Sequence, residues 1–590
     1  MIARLRVETR MLPVLAAIVV AFGLLARTNS TFAQAGTYAA IYACAAIGLS
    51  ILLGNVNQIS VGQAGFFGIG AYSVAYLTAI AGWPFWPAAA LGVAIAGVTG
   101  IGVGFIALRF RGHYLAMATL AFGLIAVGVF HEWRALGGAA GIANIPYAQL
   151  GPITLSGYAA YWFAWAVALT VAVLSLNLLR GRTGRGFETI RNDELAAEAV
   201  GVPTRRYKVV AFAYAGALAG LAGALYASVL GIVVPDAVGV ALSIDFLLMV
   251  VLGGSGGVCG ALLGAVLIGF LDIAGHQYQN WREVAYGALV IGVVIVAPGG
   301  VIGLLRRTRP AQARPKDGSA AVRPVARAAP ITARAAGTAP LAVHGVTKRF
   351  GGLVAVDEVS FALRWGSLTS LIGPNGAGKT TLFNAVCGIG QLTSGSVEIG
   401  GRDVTGRQPH RVASLGVGRT FQNARLFAEM TALENVMAGA LRAERGSLAE
   451  DLFALPRSRR AEREARDRAR ATLAELGLAH VEATFAKDLA FGDRRRVELA
   501  RAVVAEPWLL LVDEPAAGLN AGERATLNED LLRLRDAGTT LLLIEHDMRL
   551  VMAISERVMV LEFGRLIADG TPAQVQNDPT VIAAYLGTAR

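Results

Sequence analysis

Long apolar runs fill the first half of the chain and constrain its fold more than any other feature. They dominate the sequence up to about residue 305, whereas residues after about 340 have the mixed composition of a soluble α/β protein. A helix needs about 20 apolar residues to cross a bilayer. Residues 1–305 are therefore predicted to form an all-α polytopic membrane domain, and residues 341–590 a separate soluble domain.

The apolar runs give a predicted topology. Full-length candidate spans lie at 11–27, 37–54, 59–81, 86–108, 115–131, 159–179, 208–230, 258–274 and 284–305, and a shorter one lies at 238–252. Basic clusters place the N-terminus, the long loop that ends at Lys208 and the exit at Arg306 in the cytoplasm. The number of crossings between Lys208 and Arg306 must then be even. The short stretch is therefore predicted to cross as well, which gives about ten crossings.

Two details of the membrane half leave alternatives open. The first span has basic flanks and small residues at 31–35, so residues 1–33 could instead be a cleaved signal peptide. Amides and glycines at 55–65 interrupt a span. Such an interruption is typical of a substrate path, but small residues also allow close helix packing. A second glycine-rich interruption follows at 253–257.

Residues 306–340 are rich in Ala, Arg and Pro and nearly lack large apolar side chains, which predicts a flexible tether between the two domains. The net charge of +12 does not point to nucleic acid, because the arginine clusters lie beside membrane segments and set their orientation. Cys44, Cys259 and Cys387 lack metal-ligand spacing and are predicted to be packed thiols.

A phosphate-binding loop opens the soluble half. Its residues are Gly373, Pro374, Asn375, Gly376, Ala377, Gly378, Lys379 and Thr380, which fit the pattern G-x-x-x-x-G-K-[ST]. A predicted strand at 368–372 precedes it, and a predicted helix begins at Thr381. Backbone N–H groups and the helix N-terminus would bind nucleotide phosphates. Lys379 would reach the β/γ-phosphates, and Thr380 would hold Mg²⁺.

Two further strands end in polar residues suited to phosphoryl transfer. The apolar run 508–512 precedes Asp513 and Glu514, and the run 541–544 leads to His546. Asp513 is predicted to bind Mg²⁺ and Glu514 to polarise the attacking water. His546 is predicted to contact the γ-phosphate. Positioning and charge neutralisation dominate this chemistry.

With these motifs in place, residues 341–590 resemble the ATPase subunit of an ABC transporter. The resemblance implies that Phe350 stacks on adenine and that Gln422 senses both Mg²⁺ and the membrane domain. It places Asn520 in the D-loop. The signature motif, which acts on the partner's ATP site, would comprise Ala490, Phe491, Gly492 and Asp493. Ala490 stands where the serine is usual, so one contact to the opposite γ-phosphate is lost and equal use of both sites is in doubt.

The details are similar to those of branched-chain amino-acid importers. In the soluble half the resemblance rests on 489–496, 516–520 and 581–587. In the membrane half it rests on 62–72, 111–120 and 191–201. The stretch 191–201 resembles the coupling helix that docks into the ATPase, with Glu194, Ala197 and Gly201 as its candidate contacts.

The resemblance implies one permease–ATPase subunit of an importer in the bacterial inner membrane, with its ATPase in the cytoplasm. ATP and Mg²⁺ would be bound. A second permease and a second ATPase, related but distinct, and an extracytoplasmic substrate-binding protein would complete it. Urea, short amides and aromatic acids remain alternative substrates. An exporter is disfavoured because the loop 181–207 is short, and a membrane-anchored ATPase without transport would not need so many spans.

Overall fold

The computed structural model describes residues 2–27, 30–110, 112–274, 287–288, 291–293, 295–297, 299–307, 338–442, 444 and 446–586. Most of the predicted tether at 306–340 lies outside these residues, as does part of the predicted span at 284–305.

The first half is helical. Its helices are α1 (Ile2–Ala26), α2 (Ser30–Val56), α3 (Gln63–Ala75), α4 (Phe85–Ala107), α5 (His113–Glu132), α6 (Gly157–Arg180), α7 (Arg182–Asn192), α8 (Glu194–Ala199), α9 (Thr204–Leu230), α10 (Val240–Gly253), α11 (Val258–Ala274) and α12 (Gly300–Arg307). A π-helical segment, Tyr76–Ile80, continues α3. Four two-residue strands, β1 (Ile142–Ala143), β2 (Gln149–Leu150), β3 (Ile153–Thr154) and β4 (Ile232–Val233), lie in the loops.

Seven helices of the described residues are long and apolar enough to cross a membrane: α1, α2, α4, α5, α6, α9 and the segment Pro235–Gly253 that contains α10. A shorter apolar helix covers Val258–Leu271. The prediction of an all-α polytopic membrane half is confirmed. The segment that contains α10 has the length that the parity argument needs, while the count of about ten crossings stays a prediction.

Small residues let the central helices pack closely. Helix α2 is the most enclosed of the seven candidate spans, with 89% of its most apolar stretch buried inside the protein. A methyl group added at Gly70 would lie 2.0 Å from the carbonyl oxygen of Gly220, and one at Gly223 would lie 1.9 Å from that of Phe67. Helices α3 and α9 are therefore in backbone contact, which only glycine permits at these positions.

The interruption at 55–65 joins α2 to α3 inside the bundle. Gly62 packs against α5, where an added methyl group would lie 2.2 Å from the carbonyl oxygen of Thr119. The oxygens Asn55 Oδ1, Ser60 Oγ and Gln63 Oε1 are buried and have no hydrogen-bond partner among the described residues. The glycine thus serves close packing, whereas the unpartnered oxygens are also suited to a polar path, and both interpretations remain.

Helix α1 is built into the bundle. The buried carboxylate of Glu8 accepts a hydrogen bond from the backbone N–H of Val258 at the start of α11, at 2.9 Å. The hydroxyl of Tyr161 donates to the carbonyl oxygen of Val19 at 2.8 Å. These contacts join α1 to α11 and α6.

The second half is an α/β domain with two sheets. Its strands are β5 (Leu341–Phe350), β6 (Leu353–Ala362), β7 (Leu368–Ile372), β8 (Ser394–Ile399), β9 (Arg402–Asp403), β10 (Val417–Arg419), β11 (Leu509–Asp513), β12 (Thr540–Ile544), β13 (Arg557–Glu562) and β14 (Arg565–Gly570). Its helices are α13 (Lys379–Val386), α14 (Pro409–Ser414), α15 (Ala432–Gly439), α16 (Leu448–Leu452), α17 (Pro456–Glu475), α18 (Phe491–Val503), α19 (Ala521–Asp536), α20 (Met548–Ile554), α21 (Pro572–Gln576) and α22 (Pro579–Leu586).

The larger sheet positions the site. Its strand order is β10-β11-β12-β7-β13-β14, and it is parallel except for β14. The smaller sheet, of order β6-β5-β8-β9, is antiparallel. Because β7, β12 and β11 are neighbours and run in one direction, the loops after them meet at the same edge, where ligands bind in open α/β sheets.

Candidate nucleotide site and its contact with the membrane half

The phosphate-binding loop connects β7 to α13 through glycines that no other residue could replace without strain. Gly373 has φ +149° and Gly378 has φ +98°. A methyl group added at Gly373 would lie 2.0 Å from the carbonyl oxygen of Leu561, and one at Gly378 would lie 2.1 Å from that of Ala355. Helix α13 begins at Lys379, two residues earlier than predicted. The loop therefore presents backbone N–H groups beside a helix N-terminus, which suits an anion.

Lys379 lies inside this loop and is 7% exposed. Its Nζ donates to the carbonyl oxygens of Gly373 at 2.6 Å and Pro374 at 2.9 Å. Burial lowers the pKa of Lys379, while the carboxylates of Glu514 and Asp513 act in the opposite direction. The loop thus holds a cation where nucleotide phosphates are expected.

The other predicted loop residues differ in exposure. Asn375 and Gly376 are exposed at the tip, and Ala377 is buried beneath them. Thr380 is exposed and Thr381 half-buried in the first turn of α13. Thr380 is accordingly accessible to a metal ion that arrives with the nucleotide.

Asp513 ends β11 and is buried. Burial, together with the neighbouring Glu514, raises its pKa to about 6 despite the opposing charge of Arg419. Its Oδ1 has no hydrogen-bond partner within the described part of the chain. A buried carboxylate oxygen without a partner fits a divalent cation, and Mg²⁺ is typically held by one or two carboxylates together with substrate phosphates.

The three predicted catalytic residues lie together. Nε2 of Gln422 donates to Oε2 of Glu514 at 3.1 Å, and Nδ1 of His546 lies 3.8 Å from the same oxygen. Glu514 adopts φ +42°, which is uncommon outside glycine and frequent at active sites. The fully buried Glu545 fixes the turn that carries His546 by accepting hydrogen bonds from the backbone N–H groups of His546 and Ala516.

Phe350 ends β5, and its ring is 56% exposed. Nζ of Lys348 lies 4.9 Å from the ring centroid. An exposed aromatic face is able to stack on a base, so the position is compatible with adenine binding.

The signature residues form the start of α18. Ala490 occupies the N-cap position and makes no side-chain cap hydrogen bond. Phe491 is 52% exposed, and Asp493 Oδ2 lies 4.0 Å from Nε2 of His480. A methyl group added at Gly492 would lie 2.3 Å from Oε1 of Glu523. The first N–H groups of a helix are able to bind phosphate, and the action of these residues on a partner's ATP site stays a prediction.

Asn520 has a structural role that the sequence analysis missed. Its side chain accepts a hydrogen bond from the N–H of Glu523 at 2.9 Å, and Glu523 Oε2 accepts one from the N–H of Asn520 at 2.9 Å. This capping box begins α19. The pattern Asn-x-x-Glu was the available signal.

The segment around Gln422 is bound to α18, which the sequence analysis also missed. Oε1 of the buried Glu498 accepts hydrogen bonds from the N–H groups of Phe421 at 3.3 Å and Arg425 at 3.2 Å. Arg495 donates to the carbonyl oxygen of Phe421 at 3.0 Å, and Arg501 to that of Arg425 at 2.6 Å. The arginines of the predicted signature helix therefore hold the Gln422 loop in place.

The predicted coupling segment 191–201 covers the last two residues of α7, then Asp193 and the whole of α8. Ala197 is fully buried in α8. A methyl group added at Gly201 would lie 2.6 Å from Cβ of Arg442 in the ATPase half. Glu194 instead pairs with Lys208 of the membrane half at 2.9 Å. Of the three predicted contact residues, Gly201 touches the ATPase half and Glu194 binds within its own half.

Most polar contacts between the halves involve α7 and the residue that follows it. On the membrane side they use Arg182, Thr183, Arg185, Asn192 and Asp193. On the ATPase side they use Arg425, Glu429, Leu441, Glu444, Gly446, Asp451 and Glu462. No sequence signal pairs these residues, since they lie far apart along the chain.

Comparison with protein families divides the chain in the same way. A model for the permease component of the branched-chain amino acid transport system matches residues 31–298. A model for ABC transporters matches 356–517, and one for the branched-chain amino acid ATP-binding cassette transporter matches 565–590.

Individual relatives match the second half. The high-affinity branched-chain amino acid transport ATP-binding protein LivG of Salmonella typhimurium is 48% identical over 250 residues, which cover 42% of this chain and 98% of LivG. Its counterpart BraF of Pseudomonas aeruginosa is 46% identical, with the same coverage. A crystal structure of a nucleotide-free ATP-binding cassette from an ABC transporter is 32% identical and covers 42% of this chain and 100% of that chain, with a TM-score of 0.38.

Proposed function

The chain belongs to the family of branched-chain amino-acid ABC transporters, and from this premise we propose that it imports branched-chain amino acids by hydrolysing ATP. Its second half is an ABC-type ATPase, and its first half is a permease region of membrane-spanning helices. One observation carries the proposal. A permease match at 31–298 and an ATPase 48% identical to LivG stand in one polypeptide. We place the domain boundaries at 1–305, 306–340 and 341–590.

The residues of the site divide the work of ATP hydrolysis. The loop 373–380 and Lys379 bind and orient the phosphates, which is most of what phosphoryl transfer requires. Glu514 accepts a proton from the attacking water. Gln422 orients the Glu514 carboxylate by donating a hydrogen bond to it at 3.1 Å. His546, 3.8 Å from the Glu514 carboxylate, donates towards the γ-phosphate. Phe350 supplies the face on which adenine stacks.

Asp513, Thr380 and Gln422 would hold Mg²⁺. The buried, unpartnered Oδ1 of Asp513 supports this assignment. The ion would supply positive charge that neutralises the negative charge developing on the phosphates. The protein's own contribution is to keep Asp513 in place, since its N–H donates to the Thr420 hydroxyl at 3.2 Å.

A path of contacts links the site to the membrane half. Gln422 touches Glu514, and three residues later Arg425 forms an ion pair with Asp193 at 2.8 Å. The state of the nucleotide site can therefore reach α7 through the Gln422 loop, which the α18 arginines keep in a defined conformation. Gly201, at the end of the predicted coupling segment, packs against Arg442 of the ATPase half.

The complete transporter contains more chains. An importer of this architecture has partner subunits and a binding protein, and we propose that these are a second, non-identical permease and ATPase and an extracytoplasmic binding protein. If the partner ATPase has a serine at the position of Ala490, the two composite ATP sites would differ in their signature residues. We place the complex in the bacterial inner membrane, with the ATPase half in the cytoplasm.

Uptake of radiolabelled leucine by cells that express this chain with its neighbouring transport genes tests the proposal. The matched control is Lys379→Ala, which removes the cation of the phosphate-binding loop. Uptake that disappears in the Lys379→Ala protein supports both the assignment of the ATPase as the energy source and leucine as a substrate. Equal uptake in both proteins would discard leucine, and the assay would then move to urea, short amides and aromatic acids.

A further inference from the structure

Helix α7 is attached to the ATPase half at both of its ends. At its first turn, Oδ2 of Asp451 accepts hydrogen bonds from the backbone N–H of Thr183 at 2.8 Å and from its hydroxyl at 2.7 Å. Ser458 holds the other carboxylate oxygen at 2.6 Å. An ATPase carboxylate thus caps a helix of the membrane half, where the helix dipole favours negative charge.

In the same turn, the side chain of Arg185 is buried against the ATPase half. Its side chain is 0% exposed and forms ion pairs with Glu444 at 2.7 Å and with Glu462 at 2.6 Å. Burial disfavours the charge, but the two carboxylates together raise the pKa of Arg185 above its ordinary value. A buried guanidinium that loses its partners is strongly destabilising, so this end of α7 resists separation from the ATPase half.

The other end is attached more weakly. Arg425 pairs with Asp193 at 2.8 Å, but the two side chains are 44% and 22% exposed. Asn192 Oδ1 accepts one hydrogen bond from the N–H of Glu429 at 3.2 Å. Exposed pairs of this kind contribute little, because water competes for both charges. This end adjoins the Gln422 loop, whereas the first turn contacts residues 444–462.

We infer that α7 is a lever. Its first turn stays anchored to residues 444–462 through Arg185 and Asp451, while its Asp193 end separates from the Gln422 loop and rejoins it during each ATP cycle. The inference rests on the proposed transport function. It assigns two tasks to one helix, permanent attachment and nucleotide-dependent contact, on the basis of burial and charge.

Two engineered disulfides test this in the full chain, assembled with its partner subunits in liposomes. The first, Gly181→Cys with Asp451→Cys, locks the anchor: a β-carbon at Gly181 would lie 3.0 Å from Cβ of Asp451, and an outward shift of about 0.5 Å reaches the separation of a disulfide. The second, Asn192→Cys with Glu429→Cys, locks the Gln422-loop end. The three native cysteines are buried and can be kept. Loss of maleimide labelling reports disulfide formation.

ATP hydrolysis and uptake are then compared between the oxidised and reduced forms of the same protein, so that any effect of the substitutions themselves cancels. We expect the oxidised anchor lock to hydrolyse and transport within twofold of its reduced form. We expect the oxidised Gln422-loop lock to lose at least tenfold in both, with recovery on reduction.

The lever is overturned if the anchor lock abolishes hydrolysis reversibly, if the Gln422-loop lock leaves it unchanged, or if either pair fails to form its disulfide. Hydrolysis does not depend on which substrate is carried. A reduced protein that hydrolyses ATP but does not import leucine therefore counts against the proposed substrate and leaves the lever to be judged by hydrolysis.

Discussion

Nε2 of Gln422 donates a hydrogen bond to Oε2 of Glu514 at 3.1 Å. This contact joins the strand end that carries the proposed catalytic base to the loop that meets the membrane half. A change in the charge or hydrogen bonding of Glu514 alters its contact with Gln422, and Glu498 holds the backbone N–H groups of Phe421 and Arg425 on either side of Gln422. Gln422, which contacts the proposed catalytic base, is therefore only three residues from Arg425, which pairs with Asp193 of the membrane half.

Glu514→Gln should permit ATP binding but stop its hydrolysis, because an amide cannot accept the proton of the attacking water. We expect turnover to fall by a factor on the order of 100 or more, the contribution of a positioned base. Phosphate release and retention of radiolabelled ATP measure the two effects. Glu556→Gln, at an exposed carboxylate outside the site, is the control. Unchanged turnover in Glu514→Gln would exclude Glu514 as the base.

Asp513 should make Mg²⁺ binding sensitive to pH. Its pKa is raised to about 6, above the value of about 3.9 for a free side chain. The charged form is thus disfavoured by folding, and this group costs stability increasingly as the pH rises from about 4 to about 6. Mg²⁺ needs the carboxylate. Below pH 6 the Mg²⁺ concentration for half-maximal nucleotide binding should therefore rise about tenfold per unit.

A fluorescent ATP analogue measures this dependence between pH 5 and pH 8. Protonation of the nucleotide itself contributes equally to wild type and to Asp513→Asn, so the difference between their profiles isolates Asp513. Identical profiles, offset only in affinity, would contradict the assignment of Asp513 to the metal.

Arg185→Ala should destabilise the contact between the halves by about 3–5 kcal/mol, because two buried carboxylates lose their cation. Thermal unfolding of the purified chain in detergent measures this. Arg460→Ala is the matched control, since Arg460 pairs with Glu464 while 83% exposed and should cost less than about 1 kcal/mol.

The triple variant Arg185→Met, Glu444→Gln and Glu462→Gln should regain much of the loss, because no buried charge is left unpaired. If Arg185→Ala melts like Arg460→Ala, the buried ion pairs do not hold the halves together.

Ala490→Ser should stabilise α18. Ala490 has the extended backbone of an N-cap, with φ −60° and ψ 156°, but no side-chain acceptor. A serine there should contribute about 1 kcal/mol. Differential scanning fluorimetry measures the shift in Tm. The control is Ala521→Ser, because α19 already has the Asn520 cap. A Tm equal to that of the control would show that the serine makes no cap.

Deleting part of residues 312–335 should leave transport nearly intact if this segment is a tether. Among the described residues, α6, α7 and α8 contact the ATPase half, so shortening a tether would change the entropy of docking only slightly. Leucine uptake per milligram of transporter measures the effect. Replacing the same residues with a Gly/Ser sequence of equal length is the control. Loss of uptake in both proteins would point to a docking role for these residues.

Local patterns predicted the architecture correctly. Apolar runs of span length predicted the helical membrane half, because a bilayer permits few other structures. The phosphate-binding loop between a strand and a helix predicted the ATPase fold, since its glycines and lysine are adjacent in sequence. Positions such as Asp513 and Glu514 could be proposed for the same reason: each directly follows an apolar strand.

Contacts between distant residues could not be predicted in this way. Sequence similarity directed attention to Glu194, which binds Lys208 of its own half. The buried ion pairs of Arg185 instead join residues 259 and 277 positions apart. The sequence around a charged residue does not indicate which residue it pairs with. Only packing decides which carboxylates share its buried surroundings.

The sequence by itself determined that this chain joins a polytopic membrane domain to an ABC ATPase, because hydropathy and the phosphate-binding loop are local properties. The tertiary structure alone decided how the two are attached. Helix α7 enters the ATPase half because Asp451 lies at its first turn and two carboxylates neutralise Arg185 there. The free energy of a buried charge depends on its surroundings, which exist only once the chain has folded.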